Sequence, residues 1–413
     1  NLRRLPQEML PYISLFGRAL LEMGTETEDF VRLAIRIGQK TGGIRPASLT
    51  TLHRTSRESL AWLFLRGKST TEQAADLLGI LKDVLLTMNL DNQERFRQMV
   101  LEEKADMEAS LIPAGTRYVN TRLRARFDQA GYAAEKMGGI DYLYFLRQLA
   151  SDVSQDWPKV LENLEAVRRA LINQGGVSAN VTLDTDNWKN FEGLLKDFMQ
   201  KLPTGSAPAA EWQPAKYPSA EGLTIPAQVN YVGKGANLFD LGYRLDGSMF
   251  VISKYVNSTY MWEKVRVQGG AYGASFSFDN RSGVLTYLSY RDPNLLQTLE
   301  VYGKTSEFLR KLDLSDEELT KTIVGTIGDM DAYQLPDAKG FTSLVRYLVG
   351  DTDEYRQEVR DQVLSTNSSD FHALADVLAR AEEQGQVAVL GSADAIQKVN
   401  EELSGWLQIQ KVL

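Results

Sequence analysis

The chain has 413 residues, of which 43% are hydrophobic and 24% are charged, a composition ordinary for a soluble globular protein of two or three domains. Its formal net charge of −8 argues against nucleic acid as a partner, and no apolar run approaches the roughly 18 residues that span a membrane. Because the chain has no cysteine, disulfides, thiolate nucleophiles and cysteine-bound zinc are excluded.

The first predicted elements are helices and one β-hairpin. The chain opens on Asn1 and "LPQEMLPYISLFGRALLEMG", an amphipathic helix pattern without a signal peptide, so we expect a piece of a longer polypeptide or a processed chain. Residues 30–69 follow the order helix, glycine pair, strand, turn and strand, and residues 70–100 follow the order helix, break and helix. Several amphipathic helices are predicted over about 91–173.

A proline-rich stretch divides the chain. Residues 202–222 contain four prolines, which cannot lie inside a helix or a central strand, so we interpret this stretch as an extended linker. It separates a first predicted domain, residues 1–201, from a second, residues 223–413.

The second domain repeats the order of elements of the first. The pair Gly269-Gly270 matches Gly42-Gly43, in each case between a helix and a β-hairpin. A repeat with units this long indicates two copies of one domain. In the second copy, every second residue of "AYGASFSFD" from Tyr272 to Phe278 points to one face of a strand, "NRSG" is typical of a turn, and "VLTYLSY" returns antiparallel.

Capping signals and periodicity define the rest of the second domain. Asp292, followed by a proline, is predicted to begin a helix, and Ser315 begins the next one with Glu318 at the capping-box position. Further helices are predicted over about 337–385 and 392–404, with "QVAVLGS" as a strand between them. Both domains are therefore predicted to be α+β, each a largely antiparallel sheet with helices packed on one face.

Motifs alone identify no complete catalytic centre. The zinc motifs H-E-x-x-H and H-x-x-E-H are absent, since His53 is followed by "RTSR" and His372 by "ALAD". No G-x-S-x-G elbow of a serine hydrolase appears. Two stretches resemble parts of phosphate loops, but we interpret "GKST" at 67–70 as a polar turn and "VGKGAN" at 232–237 as a strand-end loop.

Several longer stretches indicate a family. The second domain contains "NYVGKGANL", "GYRLDGSMFVISKY", "VRVQGGAYGASFSFD", "LSYRDPNLLQTLEVY" and "YLVGDTDE", and the first contains "SLFGRALLEMGTETEDFVRLAIRIGQKTGGI". These stretches closely resemble the C-terminal half of the presequence protease family, which consists of pitrilysin-type zinc metallopeptidases related to insulin-degrading enzyme. The resemblance extends over essentially the whole chain and is most specific over 228–350.

The resemblance implies a function that this chain performs only as part of a longer enzyme. Members of the family are similar in build, with four homologous α+β domains in two halves that close around a chamber. The N-terminal half binds zinc through the inverted motif, so we expect no metal in this chain and the zinc-bearing half as its partner. Peptide substrates are expected to be short, basic and unstructured, with no nucleic acid or membrane partner. The expected location is a soluble, reducing compartment: the bacterial cytoplasm, or the mitochondrial matrix or chloroplast stroma.

The family's arginine and tyrosine that face the zinc from the C-terminal half correspond to Arg266 and Tyr272. A positioned hydroxyl stabilises the carbonyl oxygen that becomes negative during peptide hydrolysis, and a guanidinium donates to substrate carbonyls. The first copy of the domain has neither residue, because Gln39 and Arg45 occupy the matching positions. The resemblance thus predicts a catalytic role for Arg266 and Tyr272.

The segment between these two residues is predicted to bind substrate. It consists of Gly269, Gly270 and Ala271, and the glycines allow a backbone to approach closely. The strand that follows could take an extended peptide along its edge, main chain to main chain.

Other interpretations stay open. A helix that ends in Gly-Gly is commonly just capped, and Arg266 could form a surface ion pair. Asp292 and Asn294 are explained by helix capping. The chain could also be a catalytically inactive scaffold subunit or a peptide-binding module without chemistry. Residues without an assignable role are Lys234, Tyr333 and Lys339.

Overall fold

The first half of the chain consists of helices around one β-hairpin. A computed structural model describes all residues, 1–413. Helix α2 leads through the first glycine pair into β1 and β2, which pair antiparallel from Ile44–Gly67 to Leu52–Ser59, and the predicted order of elements is confirmed. The elements are α1 (Ile13–Glu22), α2 (Phe30–Lys40), β1 (Ile44–Leu52), β2 (Ser59–Gly67), α3 (Ala74–Leu86), α4 (Gln93–Ser110), α5 (Gly115–Arg124), α6 (Gln129–Gly138), α7 (Ile140–Gln155), α8 (Trp157–Leu171) and α9 (Thr185–Lys201).

The second half contains a six-stranded sheet and its own helices. Helix α10 continues directly into a π-helical segment, Asn257–Gln268, before the second glycine pair. The elements are β3 (Ala220–Thr224), β4 (Tyr231–Asn237), α10 (Ser248–Val256), β5 (Gly273–Phe278), β6 (Val284–Tyr290), α11 (Leu296–Gly303), α12 (Thr305–Arg310), α13 (Asp316–Met330), α14 (Pro336–Val349), α15 (Asp353–Leu364), α16 (Ser368–Gln384), β7 (Gln386–Gly391), α17 (Ala393–Glu402) and β8 (Gln408–Lys411).

The large sheet has the strand order β5-β6-β4-β7-β3-β8. Strands β5, β6, β4 and β7 pair antiparallel, whereas β3 pairs parallel with both β7 and β8. The predicted fold class, α+β with largely antiparallel sheets, is confirmed. Strand β5, which follows the second glycine pair, lies at one edge of the sheet.

Helices cover both faces of this sheet. Successive residues of β4 show the alternation: Tyr231 is buried in a core shared with Tyr118 of α5, and Val232 is buried in a core shared with Met249 of α10. The second half thus covers one face with its own helices, as predicted, and the first half covers the other. A side chain at Gly233 would collide with Val119, so this glycine permits the close approach of α5.

Buried charges also join the two halves. Arg122 on α5 forms a bidentate pair with Glu221 on β3, with both N–O distances 2.8 Å. Arg126 lies 3.0 Å from the same carboxylate, and Arg122 also reaches Glu135 at 3.1 Å and Asp141 at 2.7 Å. Each cation therefore has an anionic partner away from water, which is the condition for tolerating buried charge.

The proline-rich stretch is extended but packed. Residues 203–218 contain no helix or strand, and Trp212 is buried with its Nε1 donating to the carbonyl of Leu5 at 2.9 Å. The N–H of Ala210 donates to the carbonyl of Arg3 at 2.6 Å. Strand β3 begins inside the predicted linker, and the division into domains stays a prediction.

Several local predictions were tested by these elements. The capping box of Ser315 and Glu318 at the start of α13 is confirmed. The interpretation of "VGKGAN" as a strand-end loop is wrong, because these residues form β4 itself. Glycine-rich segments read as loops locally, whereas here the glycines accommodate neighbouring helices. None of the helices combines the length and the apolar character that crossing a membrane requires.

Candidate functional site

The site is built where the π-helical segment turns into the edge strand β5. The N–H groups of Gly269 and Gly270 both donate to the carbonyl of Arg266, and the N–H of Ala271 donates to that of Val265 at 3.2 Å. Gly270 has φ +79°, a left-handed conformation that costs other residues about 1–2 kcal/mol. The matching Gly43 of the first copy has φ +102°, so the turn belongs to the repeated fold.

The start of the π-helical segment is tied to β5 by one side chain. The amide of Asn257 accepts from the N–H of Phe276 at 2.7 Å and donates to its carbonyl at 2.8 Å. Residues of an antiparallel pair alternate between bonding to the partner strand and pointing away from it, so this amide occupies outward-pointing groups of the strand. The expectation that an extended peptide adds along this edge is therefore corrected, because Asn257 already fills its centre.

A second side chain fixes the glycine turn. The amide of Asn294 donates to the carbonyl of Gly269 at 2.5 Å, and its N–H donates to Asp292 at 2.9 Å. Asp292 is 0% exposed and also accepts from Thr298 at 2.7 Å. Burial raises the pKa of this carboxyl. The prediction that Asp292 begins a helix is wrong, since α11 starts at Leu296 and the aspartate instead anchors the segment that supports the turn.

Arg266 and Tyr272 come together across this turn. The guanidinium carbon of Arg266 lies 5.7 Å from the ring centroid of Tyr272 and 4.1 Å from that of Trp262. Arg266 is exposed and forms no hydrogen bond or ion pair with any other side chain, so the surface ion pair considered above is not found. Its N–H donors are all available to a ligand.

Tyr272 is held by its ring and not by its hydroxyl. The ring is 67% exposed and meets Tyr290 edge-on, with centroids 5.7 Å apart. Its N–H donates to the carbonyl of Tyr290 at 3.0 Å. Strand β5 begins one residue later, so the predicted shared face holds for Ala274, Phe276 and Phe278, which pack inward, but not for Tyr272. The hydroxyl has no partner in the chain and is free to donate to a ligand.

The three residues predicted to bind substrate contribute in different ways. All three N–H groups of Gly269, Gly270 and Ala271 are bonded within the chain. The side chain of Ala271 is buried in the core beneath the turn. The carbonyl of Gly269 is taken by Asn294. Their direct contact with a substrate stays a prediction; what the structure shows is that they define the geometry between Arg266 and Tyr272.

The residues without an assigned role lie elsewhere. Lys234 on β4 pairs with Glu382 of α16 at 3.1 Å. Tyr333 is exposed in the loop between α13 and α14, and the Nζ of Lys339 lies 6.0 Å from its ring centroid. No group of three His, Cys, Asp or Glu side chains is arranged to hold a metal ion. The residues of this chain therefore do not fit a zinc site of their own.

Sequence reasoning missed the residues that support the site. Trp262 stands four positions before Arg266 in "WEKVR", a spacing that places two side chains on one side of a helix and could have indicated the contact. No local signal indicated that Asn257 and Asn294 would bond to Phe276 and Gly269. Those contacts depend on how the helix, the strand and the following loop pack.

Family models match most of the chain. A model described as the PreP C-terminal domain matches residues 220–393, and a model for a region associated with subfamily C of the M16 peptidases matches residues 1–149. The first contains the whole site. The second covers the hairpin and most of the helices of the first half.

Known proteins are similar to this chain over its full length. It is 43% identical over 410 residues to presequence protease 1, chloroplastic/mitochondrial, of Arabidopsis thaliana, covering 99% of this chain and 38% of that protein. It is 24% identical over 386 residues to the mitochondrial presequence protease of Saccharomyces cerevisiae, covering 90% of this chain and 38% of that protein. The chain thus spans about two fifths of the length of these relatives.

A solved structure shows the same fold. An inactive M16 peptidase domain from Pseudomonas fluorescens superimposes with a TM-score of 0.62 at 15% identity, covering 92% of this chain and 87% of that one. At this identity the likeness concerns the fold alone. It supports the α+β architecture described above.

Proposed function

Since the chain belongs to the M16 peptidase family, as the C-terminal half of a presequence protease-like peptidase, we propose that it supplies substrate-binding and transition-state-stabilising groups to a zinc metalloendopeptidase. The proposal assigns the metal and its ligands to an N-terminal half of the enzyme. It assigns Arg266 and Tyr272 to this half.

The observation that supports this assignment is the state of these two side chains. Both are exposed, they lie 5.7 Å apart across a turn of fixed geometry, and neither uses its polar donors within the chain. Polar groups with no structural task, placed together on a rigid support, are suited to a ligand. An arginine and a tyrosine in this arrangement offer hydrogen-bond donors only at their outer edge.

Their chemistry matches what peptide hydrolysis requires of a second half. The carbonyl oxygen of the scissile bond becomes negative as water adds, and a preorganised hydroxyl stabilises it more than it stabilises the substrate. We assign this role to the hydroxyl of Tyr272. The guanidinium of Arg266 would donate to main-chain carbonyls of the substrate, which keeps the peptide in place without selecting its sequence.

The substrate class follows from the relatives and is part of the proposal. We propose short, unstructured peptides such as cleaved targeting sequences, enclosed in a chamber formed by the two halves. The net charge of −8 is compatible with basic peptides, although charge of this size bears only on encounter. The proposed location is the mitochondrial matrix or chloroplast stroma, or the bacterial cytoplasm.

The test is reconstitution of peptidase activity. The chain is produced alone and together with a zinc-bearing N-terminal half, and hydrolysis of a quenched fluorescent peptide is measured. We expect no activity from the chain alone and chelator-sensitive activity from the combination. Activity of the isolated chain that survives chelators would contradict the proposal, and a combination that binds peptide without hydrolysing it would favour a peptide-binding module.

A further inference from the structure

We propose that Trp262 is a positioning residue, which holds the guanidinium of Arg266 in the orientation required for substrate. The inference rests on the proposed function of Arg266 and adds a residue to it. Trp262 and Arg266 are four positions apart on the π-helical segment, and both are exposed on its surface. No motif and no part of the glycine turn includes Trp262.

The contact has the geometry of a cation–π interaction. The guanidinium carbon lies 4.1 Å from the centroid of the Trp262 ring, well inside the ~6 Å within which such contacts are favourable, and tryptophan is the most effective aromatic partner. On the other side of the turn, the Tyr272 ring lies 5.7 Å away. The guanidinium is thus placed by two aromatic rings.

This mode of support leaves the donors of Arg266 free. A ring stacked on a guanidinium occupies one of its faces, whereas a carboxylate would bond to its N–H groups at the edge. The nearest sequence neighbour with a carboxylate, Glu263, instead accepts from Gln268 at 2.8 Å. Arg266 is therefore oriented without the loss of any group that could bind a substrate carbonyl.

Trp262 has no evident task in the core. Its neighbours Met261 and Val265 are buried, but the Trp262 side chain is 49% exposed. A large apolar residue half in water contributes little to folding, and its closest charged contact is Arg266. The removal of its ring should therefore change the site more than the fold.

A double-mutant cycle in the complete two-half enzyme tests this inference. The variants are Trp262→Leu, Trp262→Phe, Arg266→Ala and the double variant Trp262→Leu/Arg266→Ala. We expect Trp262→Leu to lower kcat/KM about 3- to 30-fold and Trp262→Phe to recover most of the loss, because it restores an aromatic face. In the Arg266→Ala background, Trp262→Leu should change kcat/KM less than about twofold.

Two controls separate positioning from folding. The exposed Trp406, which precedes the strand at the opposite edge of the sheet, provides the variant Trp406→Leu, expected to leave kcat/KM unchanged. The midpoint of thermal unfolding should be the same for Trp262→Leu and the parent. The loss caused by Trp262→Leu should divide between kcat and KM as the loss caused by Arg266→Ala does.

The possible outcomes distinguish this inference from the proposed function. An equal loss from Trp262→Leu in both backgrounds would overturn it, because the ring would then act without Arg266. Full activity of Trp262→Leu, together with a large loss in Arg266→Ala, would also overturn it and leave the proposed function standing. Full activity of Arg266→Ala would refute the proposed role of the arginine itself.

Discussion

Asn257 bonds both main-chain groups of Phe276, accepting from the N–H at 2.7 Å and donating to the carbonyl at 2.8 Å. This pair joins the start of the π-helical segment to the middle of the edge strand. The segment that carries Arg266 and the strand that follows Tyr272 therefore cannot shift independently. The distance between the two proposed functional groups is set by this tie and by the glycine turn.

Substitution of Asn257 should loosen this tie. Asn257→Ala leaves the two groups of Phe276 without their partner, so we expect a loss of about 1–3 kcal/mol in the free energy of unfolding, measured by denaturant titration. The control Asn190→Ala, in exposed helix α9, should change that free energy by less than about 0.5 kcal/mol. Equal values for the two variants would show that the tie is not structural.

The hydroxyl of Tyr272 should matter for catalysis and not for folding. In the complete enzyme, we expect Tyr272→Phe to lower kcat about 10²-fold with little change in KM, because the hydroxyl has no partner in the chain and donates in the transition state. Steady-state kinetics on a fluorescent peptide measure both constants. Tyr347→Phe, an exposed tyrosine on α14, serves as the control. If kcat is unchanged and only KM rises, Tyr272 binds substrate without stabilising the transition state.

The left-handed glycine should not tolerate a side chain. Gly270→Ala forces an L-residue into φ +79°, and we expect a loss of about 1–2 kcal/mol in stability. Gly193→Ala is the matched control, because it lies inside α9 with open space around its α-carbon and should stabilise the protein by up to about 1 kcal/mol. The two variants are compared by thermal unfolding. A stabilised Gly270→Ala variant would rule out the strained turn.

The buried carboxyl of Glu135 should give the protein a pH-dependent stability near neutrality. Burial, which outweighs the neighbouring Arg122, raises its pKa to about 7 from an ordinary value of 4.5. Between these values the folded protein binds a proton that the unfolded chain has lost, so the free energy of unfolding falls as pH rises from about 4.5 to about 7. The total contribution is about 3 kcal/mol.

A glutamine at this position removes the titration. Denaturant unfolding of the parent and of Glu135→Gln at pH 5 and pH 8 should show a difference in stability between the two proteins that changes with pH. The variant should gain relative to the parent as pH rises. Glu162→Gln, an exposed position on α8, should show a difference that is independent of pH. The same flat difference for Glu135→Gln would contradict the prediction.

Much of the fold could be predicted because its signals are local. The capping box at Ser315, the hairpin after the second glycine pair and the strand of "QVAVLGS" each depend on residues a few positions apart. The start of α11 was predicted wrongly because Asp292 has the sequence of a cap. The structure uses its carboxylate to hold Asn294 and Thr298 in a buried loop.

The sequence by itself determined the α+β class, the repeated order of elements and, through resemblance, the choice of Arg266 and Tyr272. Only the tertiary structure decided what surrounds them. It shows that Arg266 has no ionic partner, that Asn294 fixes Gly269 from 25 positions away, and that Arg122 binds Glu221 across 99 positions. Periodicity and capping concern neighbours along the chain, whereas these contacts exist only once the helices pack on the sheet, so no local pattern could predict them.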